Sequence, residues 1–222
     1  MSNIRALICF CILSAFVFYA TAGNPTTDVR EPDVYSWGEN VGFLNFNGVP
    51  NGMNTVQLLP VRLNPTTLSG FVWAENIGWV NLGNGMLSDG NQYQNIDGTD
   101  FGVNIDPASG DLFGFAWGEN VGWINFDTRT SLASFSQHAR LNTNGMRLNG
   151  YAWGENIGWV NLDDEIVHIR FKCAVDFNND NAIDFFDISL FLQNRFDLDN
   201  SGVFDFFDIS SFLSEFALGC PE

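Results

Sequence analysis

Two acidic segments near the end of the chain carry the residues best suited to chemistry. They are residues 176 to 187 (DFNNDNAIDFFD) and 197 to 208 (DLDNSGVFDFFD), and both place side-chain oxygens at positions 1, 3, 5, 9 and 12. A twelve-residue loop holds Ca²⁺ with oxygens at these positions and with the backbone carbonyl at position 7. The sequence therefore predicts two Ca²⁺ ions, bound by Asp176, Asn178, Asp180, Ala182, Asp184 and Asp187 and by Asp197, Asp199, Ser201, Val203, Asp205 and Asp208.

Two loop positions depart from the commonest calcium loop. Position 12 is Asp in both loops instead of Glu, and position 6, where the chain turns sharply, is Gly202 in the second loop but Asn181 in the first. Asn tolerates a left-handed backbone better than other residues with a side chain, so we expect the first site to form with a small strain. A run of acidic surface turns is the alternative, and the tandem repetition argues against it.

Each acidic loop runs into an apolar segment with helical spacing. Apolar residues recur every three or four positions, which predicts two short amphipathic helices that share one core. A unit of about fifty residues buries too little surface to be stable alone, so metal or a disulfide should supply the difference. The predicted core residues are Ile188, Phe191, Leu192, Phe196, Ile209, Phe212, Leu213 and Phe216.

These loop and helix units resemble a dockerin module. The segments DFFDISLFLQNRF and DFFDISSFLSEF, closed by Gly219-Cys220-Pro221, are similar to the planctomycete-type dockerin that ends in a Gly-Cys motif, over residues 173 to 222. The resemblance implies a compact calcium-binding module that docks onto a cohesin-like receptor and tethers the rest of the protein to an extracellular complex or cell surface. The usual spacer between the halves is missing, because Asp176 and Asp197 are only 21 residues apart.

Four phenylalanines occupy loop positions 10 and 11, where the better-known dockerins carry the residues that meet the receptor. Two interpretations stay open for them: rings of a small core, or an exposed docking patch related by a pseudo-two-fold axis. They are Phe185, Phe186, Phe206 and Phe207.

The cysteine positions predict one disulfide. Of four cysteines, Cys9 and Cys11 lie in the N-terminal apolar stretch, whereas Cys173 and Cys220 bracket the loop pair. A bond between the latter two would stabilise the module by about 3 to 4 kcal/mol through chain entropy. Such a bond needs an oxidising compartment.

The first residues predict export. Arg5 precedes an apolar run from Ala6 to Ala20, and Ala20-Thr21-Ala22 gives a small-x-small cleavage pattern. The run is too short to span a membrane. We therefore expect residues 1 to 22 to be a signal peptide and the protein to be secreted, either extracellular or at the cell surface.

The net charge of −17 comes about equally from the calcium-loop region and from residues 23 to 172, which hold 16 acidic and 7 basic groups. Residues 173 to 222 hold 10 of the 26 acidic groups and one basic residue, Arg195. Because no basic patch could neutralise phosphates, the composition excludes nucleic acid as a natural partner.

A twelve-residue repeat organises residues 23 to 172. Strand and turn patterns precede the last three copies, with strands predicted at residues 61 to 64, 103 to 106 and 139 to 142. Each unit is therefore predicted to be an antiparallel meander and the domain to be mainly β. Residues 166 to 171 are predicted to pair beside the first copy and to close the repeats into a ring without exposed edges; an open, stacked array is the alternative. The copies are YSWGENVGFLNF (35–46), FVWAENIGWVNL (71–82), FAWGENVGWINF (115–126) and YAWGENIGWVNL (151–162).

Alternation within the unit places the aromatic rings on one face, which we expect to be the sheet core. The recurring Glu39, Glu75, Glu119 and Glu155 are expected to accept backbone N–H groups and hold the turns, with metal or sugar binding as the alternative. The second aromatic position of the repeat carries Trp79, Trp123 and Trp159. If these rings were exposed in a row, they would form a platform on which sugar rings could stack. The unit resembles Trp-rich AW-x-ENIGW repeats of secreted bacterial proteins, which implies an extracellular β-repeat domain and no reaction.

No catalytic constellation is recognised in the sequence. Dockerins often carry glycoside hydrolases, which need two unlike carboxylates across a cleft, whereas the repeated glutamates are four equivalents of one turn. His138 and His168 fall inside predicted strands. We therefore expect a non-catalytic scaffold or surface protein, with a carbohydrate-binding module or a small glycan-active, polysaccharide-degrading protein as the alternatives.

Overall fold

A computed structural model of the protein describes residues 28–47, 56–59, 65–143, 145–180, 182–198 and 201–219. The predicted signal peptide, the predicted strand at residues 61 to 64, Asn181, Asp199 and Cys220 lie outside these ranges. The described strands are β1 (Val29–Gly38), β2 (Gly42–Asn45), β3 (Gln57–Leu59), β4 (Thr67–Ala74), β5 (Gly78–Gly83), β6 (Val103–Ile105), β7 (Leu112–Gly118), β8 (Gly122–Asn125), β9 (Arg140–Asn142), β10 (Arg147–Asn149), β11 (Tyr151–Gly154), β12 (Gly158–Asn161) and β13 (Ile169–Phe171). The helices are α1 (Phe185–Asn194) and α2 (Phe206–Leu218), and a 3-10 turn spans Phe135–Gln137.

Eight strands form a closed antiparallel barrel. The hairpins β1–β2, β4–β5, β7–β8 and β11–β12 lie side by side, and β12 pairs with β1, with Trp37 opposite Asn161. The other three junctions repeat this register, because the first Trp of one hairpin always lies opposite the last Asn of its neighbour. The mainly β class and the closed arrangement are therefore confirmed.

The remaining strands extend this barrel in an arrangement that three of the four hairpins share. β13 pairs with β1, with Ile169 opposite Val34, so the predicted pairing beside the first copy is confirmed, although β12 is what closes the barrel. β6 pairs with both β4 and β7, whereas β9 pairs with β10 and β10 with β13. β3 pairs with β4 as β6 pairs with β7, so three hairpins have a third strand beside their first one, whereas no described strand takes this place beside β11. The hairpin is therefore the element that all four copies share.

Small and aliphatic side chains fill the inside of the barrel. Ser36, Ala116 and Ala152 are buried, and a Cβ atom placed on Gly38 or Gly118 would lie 2.5 Å from the valine of the same turn. The opposite face carries the aromatic rings, of which Trp37 is 38%, Phe43 52% and Trp123 42% exposed. The expectation that the ring-bearing face is the core is wrong, because the strands turn their small and aliphatic side chains inward and these rings outward.

Four turn asparagines join the hairpins at one end of the barrel. Each Nδ2 donates to a backbone carbonyl in the turn of the preceding hairpin, and the bond from the first hairpin to the fourth completes the ring. The bonds are Asn40 to Ile157 (3.1 Å), Asn76 to Val41 (3.1 Å), Asn120 to Ile77 (3.0 Å) and Asn156 to Val121 (3.0 Å). This Asn recurs in the repeat because it holds neighbouring hairpins together.

The two helices have a small core of their own. The rings of Phe191 and Phe212 stack at 4.3 Å between centroids, and Phe177 from the first loop stacks beside them. Leu198 of the second loop is also buried in this cluster, whereas Leu192 and Leu213, predicted as core, are exposed. Loop residues take the place of the two leucines.

Helix α1 leads almost directly into the second loop. Arg195 caps it in the left-handed conformation, with φ of +52°, and its N–H donates to the Phe191 carbonyl. Within the described ranges, no helix combines the length and the apolar character that crossing a membrane requires.

Candidate functional site

The position-12 carboxylates hold the acidic loops together. Asp187 is fully buried, and its two oxygens accept hydrogen bonds from the backbone N–H of Phe177 at 2.7 Å and of Asp184 at 3.0 Å. Asp208, also fully buried, repeats these bonds with Leu198 and Asp205, both at 2.7 Å. A buried charge is stable only when it is hydrogen-bonded, and here the bonds tie the start of each loop to the start of its helix.

The position-1 carboxylates fold the first half of each loop. Asp176 Oδ1 accepts from the Asp180 N–H at 3.2 Å, and Asp197 accepts from the N–H groups of Ser201 at 3.0 Å and Gly202 at 2.6 Å. Gly202 has φ of +87°, the left-handed conformation that position 6 requires. In the second loop, therefore, the chain turns around the Asp197 side chain.

The helices begin immediately at the end of these loops. Asp184 and Asp205, at position 9, are the N-caps of α1 and α2 and accept hydrogen bonds from the backbone N–H of Phe186 and Phe207. The position-12 aspartates return a bond to the cap residue in both units, which makes a capping box. Each predicted ligand set thus also determines where its helix starts.

The predicted ligands have the oxygen donors that Ca²⁺ requires, but the side chains of those described are not all arranged around a common point. Each predicted side-chain ligand offers oxygen, the ligand type that Ca²⁺ prefers. Asn178 and Asp180 bond each other, with 2.8 Å from Nδ2 to Oδ2. Among the described residues, no three His, Cys, Asp or Glu side chains converge into a group that could hold a metal ion. Binding would require Asn178 and Asp180 to exchange their mutual bond for the ion.

Both phenylalanines of each pair lie on the surface. Phe185 and Phe206 are each 72% exposed, and Phe186 and Phe207 are 65% and 66% exposed. The core contains other rings of the module, so these four side chains are not needed to fill it. Exposed apolar patches commonly mark interaction sites, and this geometry favours the docking patch over the core interpretation.

Cys173 is disulfide-bonded. Its partner lies outside the described residues, so the pairing with Cys220 stays a prediction.

The outer face of the barrel carries one aromatic cluster per hairpin. The two facing rings of the clusters meet edge to face or tilted, with centroids 4.7 Å apart for Trp37 and Phe43, 4.9 Å for Trp73 and Trp79, 4.7 Å for Trp117 and Trp123, and 4.7 Å for Trp153 and Trp159. Such contacts are a preferred geometry of aromatic pairs. Of the three candidate stacking residues, Trp123 is exposed, whereas Trp79 and Trp159 are partly buried.

The turn glutamates do not have the structural role expected for them. Glu39, Glu75, Glu119 and Glu155 are exposed, and none forms a hydrogen bond or ion pair with a described residue. Backbone bonds close the turns instead, such as Val41 N–H to the Gly38 carbonyl at 3.2 Å. Four equivalent carboxylates therefore remain accessible, and that of Glu75 lies in a groove with Trp37, Phe43 and Trp73.

One segment that sequence reasoning missed lies against the third cluster. Residues 84 to 102 connect β5 to β6 and bring the Phe101 ring to 5.1 Å from Trp123, beside a cavity of about 310 Å³. The sequence does contain a signal for this segment, because Trp73 and Trp117 are 44 residues apart whereas the other repeats are spaced by 36.

The two histidines bond to nearby groups. His138 Nε2 lies 3.0 Å from the Leu132 carbonyl oxygen, and His168 Nε2 lies 3.4 Å from Asp33 Oδ1. His138 lies close to the start of β9, and His168 immediately precedes β13. Neither histidine therefore lies within a strand.

The chain matches no protein-family model, no curated protein and no solved structure. The resemblances to dockerins and to Trp-rich repeats remain predictions from the residues quoted for them.

Proposed function

We propose that residues 173 to 222 form a calcium-stabilised docking module, which anchors the secreted barrel to an extracellular complex or to the cell surface through a cohesin-like receptor. The observation that supports this best is the exposure of both phenylalanine pairs at equivalent places in two loop and helix units built alike. Each unit thus offers one apolar patch beside a helix N-terminus. The barrel has no catalytic part in this proposal.

The charge of the module supports the choice of calcium. Its 10 acidic residues face a single basic one, Arg195. Like charges that are crowded into two loops repel each other, and the repulsion is strongest where water is excluded. A divalent cation in each loop would remove much of this repulsion and would replace the bond between Asn178 and Asp180.

A binding experiment with the full chain tests the docking patch. The immobilised protein should retain a cell-surface receptor in Ca²⁺ and release it in chelator. A chain with both Phe186→Ala and Phe207→Ala should lose the receptor, because the pair contributes apolar contact area on both units. Ile166→Ala, which also removes an exposed apolar side chain but on the barrel side of the chain, is the matched control. If the double variant retains the receptor as well as the wild-type protein does, the phenylalanines are not the docking patch.

Glycan binding by the barrel is a second candidate function, and the outward-facing aromatic clusters favour it. Planar rings on a protein surface offer their faces to the C–H groups of a sugar ring, and Trp123, with Trp79 and Trp159 at equivalent positions, is the candidate platform. Polysaccharide binding that is lost in Trp123→Ala would support this function. Hydrolysis of the bound polysaccharide would instead show a glycan-active protein, for which two carboxylates must face each other across the substrate.

A further inference from the structure

A groove runs between the first and second hairpins on the outer face of the barrel. Its volume is about 600 Å³, within the range of roughly 300 to 1,000 Å³ that is usual for ligand sites. Rings of the first hairpin and Trp73 of the second line it, and the second turn contributes the polar groups of Glu75 and Asn76. The rings from the first hairpin are Tyr35, Trp37 and Phe43.

The first hairpin differs from the others at the residue that faces this groove. Phe43 occupies the position that holds Trp79, Trp123 and Trp159 in the other copies. A phenyl ring fills less space than an indole, so this junction keeps room that the larger side chain would take. At the third hairpin, by contrast, Phe101 lies against the equivalent Trp123.

We propose that this groove binds a neutral polysaccharide, as a segment of a few sugar units. The inference rests on the glycan-binding function above and assigns it to the groove instead of the Trp123 platform. A pyranose ring without axial hydroxyls presents an apolar C–H face and a rim of hydroxyl groups. The half-exposed rings of Trp37 and Phe43 match that face, and the Glu75 carboxylate, which has no partner among the described residues, accepts from a hydroxyl.

Charge and size select this ligand class over two others. A polyanionic polysaccharide would meet Glu75 and a chain of net charge −17, so electrostatic repulsion opposes its binding. Aromatic rings with a carboxylate also suit a quaternary ammonium ion. Such an ion is much smaller than the groove of about 600 Å³, which has room for neighbouring sugar rings.

Calorimetric titration of the full chain with cellohexaose, xylohexaose and mannohexaose tests the groove. We expect at least one oligosaccharide to bind, and Phe43→Trp to weaken that binding by about tenfold or more, because the indole fills the groove. This variant reproduces the residue of the other hairpins, so the barrel should tolerate it. Glu75→Gln should weaken binding as well, whereas Glu119→Gln, the same turn position one hairpin further, should not.

The outcomes separate the groove from the platform. Binding that is lost in Trp123→Ala but kept in Phe43→Trp would overturn the groove and leave glycan binding intact. If no oligosaccharide binds, both assignments fail. The protein could instead bind tetramethylammonium and none of the sugars, with weaker binding in Glu75→Gln. That result would overturn the polysaccharide proposal and identify a cation site.

Discussion

Asp187 shows how one side chain positions a whole loop and its helix. Asp187 is fully buried, and both of its oxygens accept hydrogen bonds from backbone N–H groups. One N–H belongs to the start of the loop and the other to the helix N-cap. Asp is short enough to make these bonds from position 12. The carboxylate therefore has a structural role that exists before any ion binds.

Replacing Asp187 by Ala should destabilise the module by about 3 kcal/mol. The substitution leaves the N–H groups of Phe177 and Asp184 without their acceptor, and each buried unsatisfied group costs about 1 to 3 kcal/mol. Urea unfolding in chelator, followed by the helical circular dichroism signal, measures the loss. Gln193→Ala at an exposed position of α1 is the control. Equal midpoints for wild type and Asp187→Ala would show that the carboxylate bonds contribute little.

Tyr93 holds the segment between β5 and β6 against the barrel. Its ring packs so closely on Gly83 and Gly102 that a Cβ atom on either glycine would overlap it, and the Gly85 N–H donates to its hydroxyl at 2.8 Å. Its backbone N–H and carbonyl bond the Asn104 side chain at 2.9 and 2.8 Å. One buried ring thus fixes a segment that the repeat pattern did not predict.

Burial raises the pKa of the Tyr93 phenol above its ordinary value of 10.0. The folded protein therefore favours the neutral phenol: its contribution to stability is complete below the unfolded pKa of about 10 and is lost as pH rises through the higher folded value. An absorbance titration of phenolate should show a high-pH phase that Tyr93→Phe removes. If that phase persists in Tyr93→Phe, another group is responsible for it.

At the scale of elements, the turn asparagines offer a direct test of closure. Asn40 and Asn120 make the same bond, but only the bond from Asn40 crosses between the first and fourth hairpins. In the closed barrel, Asn40→Ala and Asn120→Ala should each lower the free energy of unfolding by about 1 kcal/mol. Urea unfolding followed by Trp fluorescence measures both.

The comparison between the two variants is what tests the arrangement. In an open array Asn40 would have no acceptor on the fourth hairpin, and Asn40→Ala would be neutral while Asn120→Ala still destabilised the protein. Glu39→Ala, an exposed residue of the same turn with no described hydrogen bond, controls for general effects on the turn.

The sequence predicted the hairpins because turn residues and repeat spacing are local and periodic. It predicted closure from the strand pattern of residues 166 to 171, although β12 is the strand that closes the barrel on β1. The prediction of which strand face lies in the core was wrong, since alternation separates the two faces of a strand but does not show which one points inward. Ser36, Ala116 and Gly38 carried that information: a closed eight-stranded barrel leaves little room inside, so the small side chains must point inward. The prediction that Leu192 and Leu213 are core residues was wrong for another reason. Phe177 and Leu198 enter the second core from the loops, and helical periodicity gives no information on the path of a loop.

At the scale of the whole molecule, two hydrophobic cores share one chain. The barrel core includes buried residues from Val29 to Phe171, whereas the core of the helices runs from Val175 to Phe212. The two loops that carry the proposed Ca²⁺ ligands belong to the second core, which includes Phe177 and Leu198 from these loops. Each core should therefore respond differently to a cation.

Tryptophan fluorescence can separate the two responses. All seven tryptophans lie between residues 37 and 159, and none lies in residues 173 to 222, so their emission reports on the barrel alone. The helical circular dichroism signal reports on α1 and α2, the two α-helices in the described part of the chain. Unfolding of the full chain followed by both signals compares the two cores in one sample.

We expect Ca²⁺ to shift the helical transition and to leave the fluorescence transition in place. A ligand present at 100 times its Kd stabilises the state that binds it by about 2.7 kcal/mol, and the proposed ligands belong to the second core only. Asp187→Ala should reduce the shift, because it removes a predicted ligand from one of two sites. If Ca²⁺ moves both transitions together, the cores unfold as one unit. If it moves neither, the acidic loops do not bind it, and the second core is stabilised by the disulfide of Cys173 and by the stacked phenylalanines instead.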